Sequence, residues 1–140
     1  MKNNIEYFEW ADAWVFTSLF MYDTNYKNLV LVSVLANGDA LNHAVFELNE
    51  LSTGLSKLVK NNLIEIKENE IRLTKLGAEV KIKSENLKGG LFEKVDNTFK
   101  VLNQLRIETN KYKILEFNFL NEEKLNEAYN QYTHKPTTSK

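Results

Sequence analysis

The stretch LNELSTGLSKLVKNNLIEIKENEIRLTKLG, residues 48–77, decides how this chain is read. Leu48, Leu51, Leu55, Leu58, Val59 and Leu63 recur at intervals of three and four, which gathers them on one side of a helix. Glu50, Thr53, Lys57 and Lys60 fall on the opposite side. Asn49 is read as the N-cap, since its side-chain carbonyl can accept from a free amide two or three residues on. Asn61-Asn62 is read as the exit, because Asn tolerates the left-handed conformation that ends many helices. Ile64, Ile66, Ile71 and Leu73 then alternate on either side of Lys67-Glu68-Asn69-Glu70, predicting a minimal hairpin with one apolar face. Thr74 follows as the cap of a helix that carries Leu76 and Val80 and continues towards Ser84. Gly77 inside that helix marks a place where another element packs closely.

Upstream, Ala11, Trp14, Val15, Ser18, Leu19 and Tyr22 lie along one helical stripe, with Asp12 near the start, where a carboxylate favours the positive end of a helix. Leu29 to Leu35 is ambiguous from its residues, because Val30, Val32 and Val34 favour a strand while a buried helix would show the same unbroken apolar run. Downstream, Gly89-Gly90 breaks the chain before Leu91, Phe92, Val95, Phe99, Leu102 and Leu105, whose spacing predicts a long amphipathic helix. Residues 112–119 favour an extended segment with Leu115, Phe117 and Phe119 facing one way. Asn121 can cap a final helix containing Leu125, Ala128, Tyr129 and Tyr132. From Thr133 the chain is small and polar and reads as a tail.

Composition bounds the class. A chain of 140 residues, 43% hydrophobic and 26% charged, suits one globular domain. The fold class is α+β, mainly α, with a domain over residues 1–132 and a tail over 133–140. Cysteine is absent, which removes disulfides, thiolate zinc sites and cysteine nucleophiles. The amino end lacks the continuous apolar core of a signal peptide. The longest apolar run, Leu29 to Ala36, is far below the roughly 20 residues a membrane span needs. A cytoplasmic protein with no membrane partner is the expectation.

The run from Leu55 to Ile64, followed by Ile71-Arg72-Leu73-Thr74-Lys75-Leu76-Gly77, resembles the recognition helix, wing and following helix of winged helix-turn-helix domains, MarR-like bacterial regulators among them. The resemblance covers residues 12–84, with 85–132 as a C-terminal extension of helix, strand and helix. It favours a helix over residues 29–36, capped by Asn28 and ended or kinked at Asn37-Gly38. It implies a DNA-associated transcriptional regulator without enzymatic activity or cofactor, and homodimerisation through the terminal helices. In such a protein the helix from Asn49 to Asn62 would enter a major groove. Asn49, Thr53, Ser56, Lys57, Lys60 and Arg72 would then meet bases and phosphates, with Lys57 and Lys60 the leading phosphate contacts.

Other features point to a winged-helix module that binds another protein and no DNA. Residues 39–47, between the expected second and third helices, exceed the tight turn of a helix-turn-helix pair. The wing tip carries Glu68, Asn69 and Glu70, which phosphate repels, and the formal charge of the chain is -1. Lys81 to Lys113 holds an excess of basic residues, read either as a phosphate patch or as a solvated face with Lys-Glu pairs. A small-molecule-binding regulator is the third possibility, with Tyr7, Phe8, Trp10, Trp14, Tyr22 and Tyr26 as pocket, interface or core residues. Asp39 stands four residues before His43, a spacing that can orient a general base. Without a nucleophile or metal-ligand cluster beside it, the pair reads as a local hydrogen bond or cap.

Overall fold

A computed structural model of the chain describes residues 8–105 and 114–133. Its architecture is α+β and mainly helical, as the sequence predicts. Helix α1, Trp10–Phe20, lies at the centre. The carboxylate of Asp12 accepts from the Glu9 amide at 2.8 Å, satisfying a free donor at the helix start. Every residue from Asp12 to Phe20 is buried. The expected single stripe is therefore too narrow, because α1 is covered by α3 and α2 and also by α5, from the far end of the chain. Tyr22 departs from the stripe entirely: the helix stops at Phe20, and Tyr22 is 74% exposed.

Helix α2, Leu31–Asn42, settles the ambiguous valine-rich run as helix. Its boundaries differ from those expected. Val30, not Asn28, is the N-cap, and the helix passes through Asn37-Gly38 to end at His43, whose backbone is left-handed at φ 56°. Gly38 is a contact position, not a stop signal, since a Cβ there would sit 2.5 Å from the Phe46 ring. That ring packs on Trp14 with centroids 3.9 Å apart, and the Trp14 indole donates to the Gly38 carbonyl at 3.0 Å. Helix α3 is Leu48–Lys60. Its cap is Glu47 instead of Asn49, with the Glu50 carboxylate accepting the Glu47 amide at 2.9 Å. The connection between α2 and α3 is thus residues 43–47, shorter than the sequence suggested.

Strands β2, Ile64–Lys67, and β3, Glu70–Leu73, form the expected hairpin, with Ile64 opposite Leu73 and Ile66 opposite Ile71. Glu68 turns the chain at φ 58°. A short β1, Asn25–Tyr26, pairs with the free edge of β3, giving the order β1-β3-β2; two residues are too few to announce a strand by alternation. Helix α4, Lys75–Glu85, starts as read: the Thr74 hydroxyl accepts from the Gly77 amide at 3.0 Å. Gly77 is required there, because a Cβ would stand 2.1 Å from the Leu63 carbonyl oxygen.

The C-terminal region corrects two expectations. The long helix is a 3-10 turn at Leu91–Glu93 followed by α5, Lys94–Asn103, so Val95 and Leu102 are buried whereas Phe92 is 64% exposed. The expected strand is also absent among the described residues. Residues 114–116 have no regular structure, and Phe117 and Leu120 close an isolated bridge; Tyr112 and Lys113 lie outside the described residues. Asn121 does cap the last helix, α6, Glu122–Thr133, accepting from the Lys124 amide at 2.8 Å. One hydrophobic core draws on α1 to α6, the hairpin, Phe119 and Leu120. No helix among the described residues is long and apolar enough to cross a membrane.

Within this core Lys57 of α3 pairs with Asp12 of α1 at 2.8 Å, the two side chains being 5% and 3% exposed. Removing one partner of a buried ion pair leaves an uncompensated charge, so Lys57→Ala should lower stability by about 3–5 kcal/mol. A Lys57→Met, Asp12→Leu double variant should recover most of that loss, short of roughly 1 kcal/mol for the lost α1 cap. Urea unfolding of the three proteins measures both effects. Tyr26 supplies a pH prediction. Burial first, then the Asp23 charge, pushes its phenol from 10.0 up to about 12. The folded state favours the protonated form, so this stabilisation is intact below pH 10 and disappears as pH rises through about 12. Urea midpoints should fall less steeply across that window in Tyr26→Phe than in the wild type.

Candidate functional site

The residues expected to meet nucleic acid lie on α3 and the hairpin, and the structure separates them. At 3.6 residues per turn, Asn49, Thr53, Ser56 and Lys60 fall on one strip along α3. Asn49 and Lys60 are exposed and Thr53 is half-buried, its hydroxyl 3.5 Å from the Asn49 side-chain oxygen. Lys57 turns away from this strip. Its ammonium is inside the molecule against Asp12, so it is not presented to a phosphate outside. Arg72 is exposed on β3, where its Nε donates to Glu65 at 2.9 Å across the hairpin.

Ser56 is also out of reach, for a different reason. It lies on the outward strip, yet it is 0% exposed. Residues 114–118 cross α3 there, and the Leu115 amide donates to the Ser56 hydroxyl at 2.8 Å. This strap runs along the side of α3 that carries Leu48, Ser52 and Val59, and reaches Ile66 of β2. Open clefts of about 570 and 300 Å³ flank it. Among the described residues neither is lined by Lys or Arg; Glu116 borders both, and Glu68 of the hairpin turn borders the smaller. The described residues around the strap thus combine apolar side chains with neutral polar ones and the carboxylates of Glu68 and Glu116, which repel phosphate.

Asp39 and His43 meet through the backbone, the His43 amide donating to the Asp39 carbonyl at 2.7 Å. The Asp39 carboxylate accepts from the Tyr132 hydroxyl at 2.5 Å, tying α2 to α6. That hydrogen bond holds the Tyr132 phenol above its ordinary pKa of 10.0, with burial and the Asp39 charge acting in the same direction. His43 is exposed at the end of α2, with its ring 5.8 Å from that of Phe92. Of the aromatic residues near the amino end, Trp14 and Phe8 are buried and the Trp10 indole donates to Asp96 at 2.8 Å, joining α1 to α5; Tyr7 lies outside the described residues. No cluster of His, Asp and Glu suited to a metal occurs among the described residues.

The basic excess after residue 80 is spread over α4 and α5. Lys81 pairs with Glu85 one turn on, while Lys83, Lys88, Lys94 and Lys100 are exposed; Arg106, Lys111 and Lys113 lie outside the described residues. A cavity of about 50 Å³ opens between α1, α4 and α5, bordered by Phe16, Phe20, Ser84 and Asn97. Its polar groups are satisfied locally, with the Thr17 hydroxyl donating to Thr98 at 3.0 Å and Ser84 to the Lys81 carbonyl at 2.9 Å. Such a space is far below the several hundred Å³ of a typical small-molecule site.

Sequence reasoning missed the two facts that govern this face, the burial of Lys57 and the cover over Ser56. Both partners are distant in the chain, Asp12 45 residues before Lys57 and Leu115 59 residues after Ser56. A faint signal existed for the first: Lys57 flanks the apolar arc of α3, as Asp12 flanks the stripe of α1. Comparison with known proteins adds no assignment, as no protein-family model, no curated protein and no solved structure matches this chain.

Proposed function

We propose that this chain is a winged-helix-like protein-interaction module, without catalytic activity, that does not read duplex DNA with α3. The observation that carries this reading is the state of the α3 outer face: Ser56 at its centre is covered by the chain's own residues 114–118, and Lys57 is committed to Asp12. A recognition helix needs an open face of donors and cations to approach bases and phosphates. The acidic wing tip, with Glu68 exposed and Glu70 half-buried, works in the same direction. The winged-helix part of the reading is supported by the order helix, hairpin, helix over residues 48–85 and by the short 43–47 connection between α2 and α3. The partner is another protein, or a second copy of this chain.

DNA-associated regulation is the second reading. It is favoured by the same short connection and by the alignment of exposed Asn49 and Lys60 with half-buried Thr53 on one strip, and it requires the strap to leave α3. Fluorescence anisotropy with a labelled mixed-sequence duplex at low salt separates the two. The interaction-module reading predicts no binding at tens of micromolar protein, where non-specific DNA binders register. Binding that weakens with added salt, and weakens again in a folded Lys60→Glu variant, would replace it with the DNA reading.

A further inference from the structure

We propose that the outer face of α3 is a docking groove for an extended apolar peptide, that residues 114–118 are its resident intramolecular occupant, and that a partner segment of the same chemistry displaces them. The proposal rests on the protein-interaction reading and supplies its site and its ligand chemistry.

The strap itself shows what the groove accepts. Leu115 and Phe117, two residues apart, are half-buried, whereas Ile114, Glu116 and Asn118 are exposed. That alternation suits an extended chain laid on a surface, and Phe117 is further held by stacking on Phe119, with ring centroids 5.5 Å apart. The Leu115 amide meets the Ser56 hydroxyl, and this is the strap's one hydrogen bond to α3 among the described residues. Extended-peptide recognition combines such a backbone contact, which sets position, with pockets for alternate side chains, which set preference.

The occupant is held by few contacts. Beside its hydrogen bond to α3, only Leu115 and Phe117 of residues 114–118 are half-buried, and open clefts of about 570 and 300 Å³ border the segment. Its C-terminal end is held far better. Phe119 and Leu120 are each 6% exposed, the bridge from Phe117 to Leu120 closes a turn, and Asn121 caps α6. A firm anchor beside a loosely seated segment lets residues 114–118 lift from α3 while α6 keeps its place on α2. A tethered occupant competes at an effective concentration near the millimolar range. An incoming segment must therefore either bind better than the strap or arrive when the strap is weakened.

The test uses the full chain and a fluorescein-labelled peptide with the sequence of residues 113–121, followed by anisotropy, with a scrambled peptide as control. Wild-type protein is compared with a Leu115→Ser, Phe117→Ser variant, its fold checked by circular dichroism; Phe117→Ser alone replaces it if the double variant unfolds. The peptide should bind the weakened variant at least about tenfold more tightly than the wild type. Adding Ser56→Ala in that background should reduce the affinity several-fold. Equal affinity for both proteins, equal binding of the scrambled peptide, or no binding to a folded weakened variant overturns the groove. Salt-dependent binding of duplex DNA by the weakened variant, in place of peptide, also overturns it. Duplex binding by wild-type protein is a separate result, which removes the interaction-module reading itself.

Discussion

The ion pair between Asp12 and Lys57 sets the geometry on which the functional face depends. Both residues are buried, at 2% and 4% exposure, with Nζ and Oδ2 2.8 Å apart. Removing two charges from water costs several kcal/mol for each ion, and attraction offsets that only when the partners are held closely. Asp12 is held by its second duty, accepting the Glu9 amide at the start of α1. One carboxylate thus begins the central helix and fixes the rotation of α3 against it. With Leu51, Leu55 and Leu58 buried and Lys57 drawn in at the edge of that face, Asn49, Thr53, Ser56 and Lys60 share the opposite strip, and the Ser52 and Val59 side borders the strap. A buried pair of this kind contributes orientation more than net stability, since apolar residues of similar volume would fill the same space at little loss.

That fixed rotation is the basis of the proposed protein-interaction reading. On α3 one lysine, Lys57, is turned into the core, and the hydroxyl of Ser56 is covered. The described residues bordering the strap include Leu48, Val59 and Ile66, with Glu68 at the hairpin turn. Lys60 is exposed at the end of the α3 strip, while Lys75 and Lys83 of α4 and Lys94 and Lys100 of α5 are exposed on other elements. Surfaces of this composition suit apolar side chains with a few directed hydrogen bonds.

Features encoded within a few residues were legible in the sequence. The hairpin from Ile64 to Leu73, the Thr74 cap, the close approach at Gly77, the left-handed Asn62 and the Asn121 cap each follow from local stereochemistry. Features that depend on distant partners were not. Helix α1 shows one stripe in sequence yet is buried on all sides, because α5 covers the face carrying Phe16 and Thr17. Gly38 reads as a helix end until Phe46 and Trp14 are seen packed over it. The candidate site suffered most, since Lys57 and Ser56 look like exposed polar residues on an amphipathic helix, and only Asp12 and Leu115 show why they are not.

The central claim is that the middle of the α3 outer face is covered while its ends are open, and the absence of cysteine from the chain makes this directly measurable. Single Ser56→Cys and Asn49→Cys variants would be reacted with a thiol-specific reagent under native conditions, with the unfolded proteins as reference. The structure predicts a thiol at position 56 that reacts at least about a hundredfold more slowly than one at position 49, the retardation expected when a site reacts only through local opening worth a few kcal/mol. Equal rates at the two positions in folded protein would contradict the account, because they would mean that nothing lies over α3.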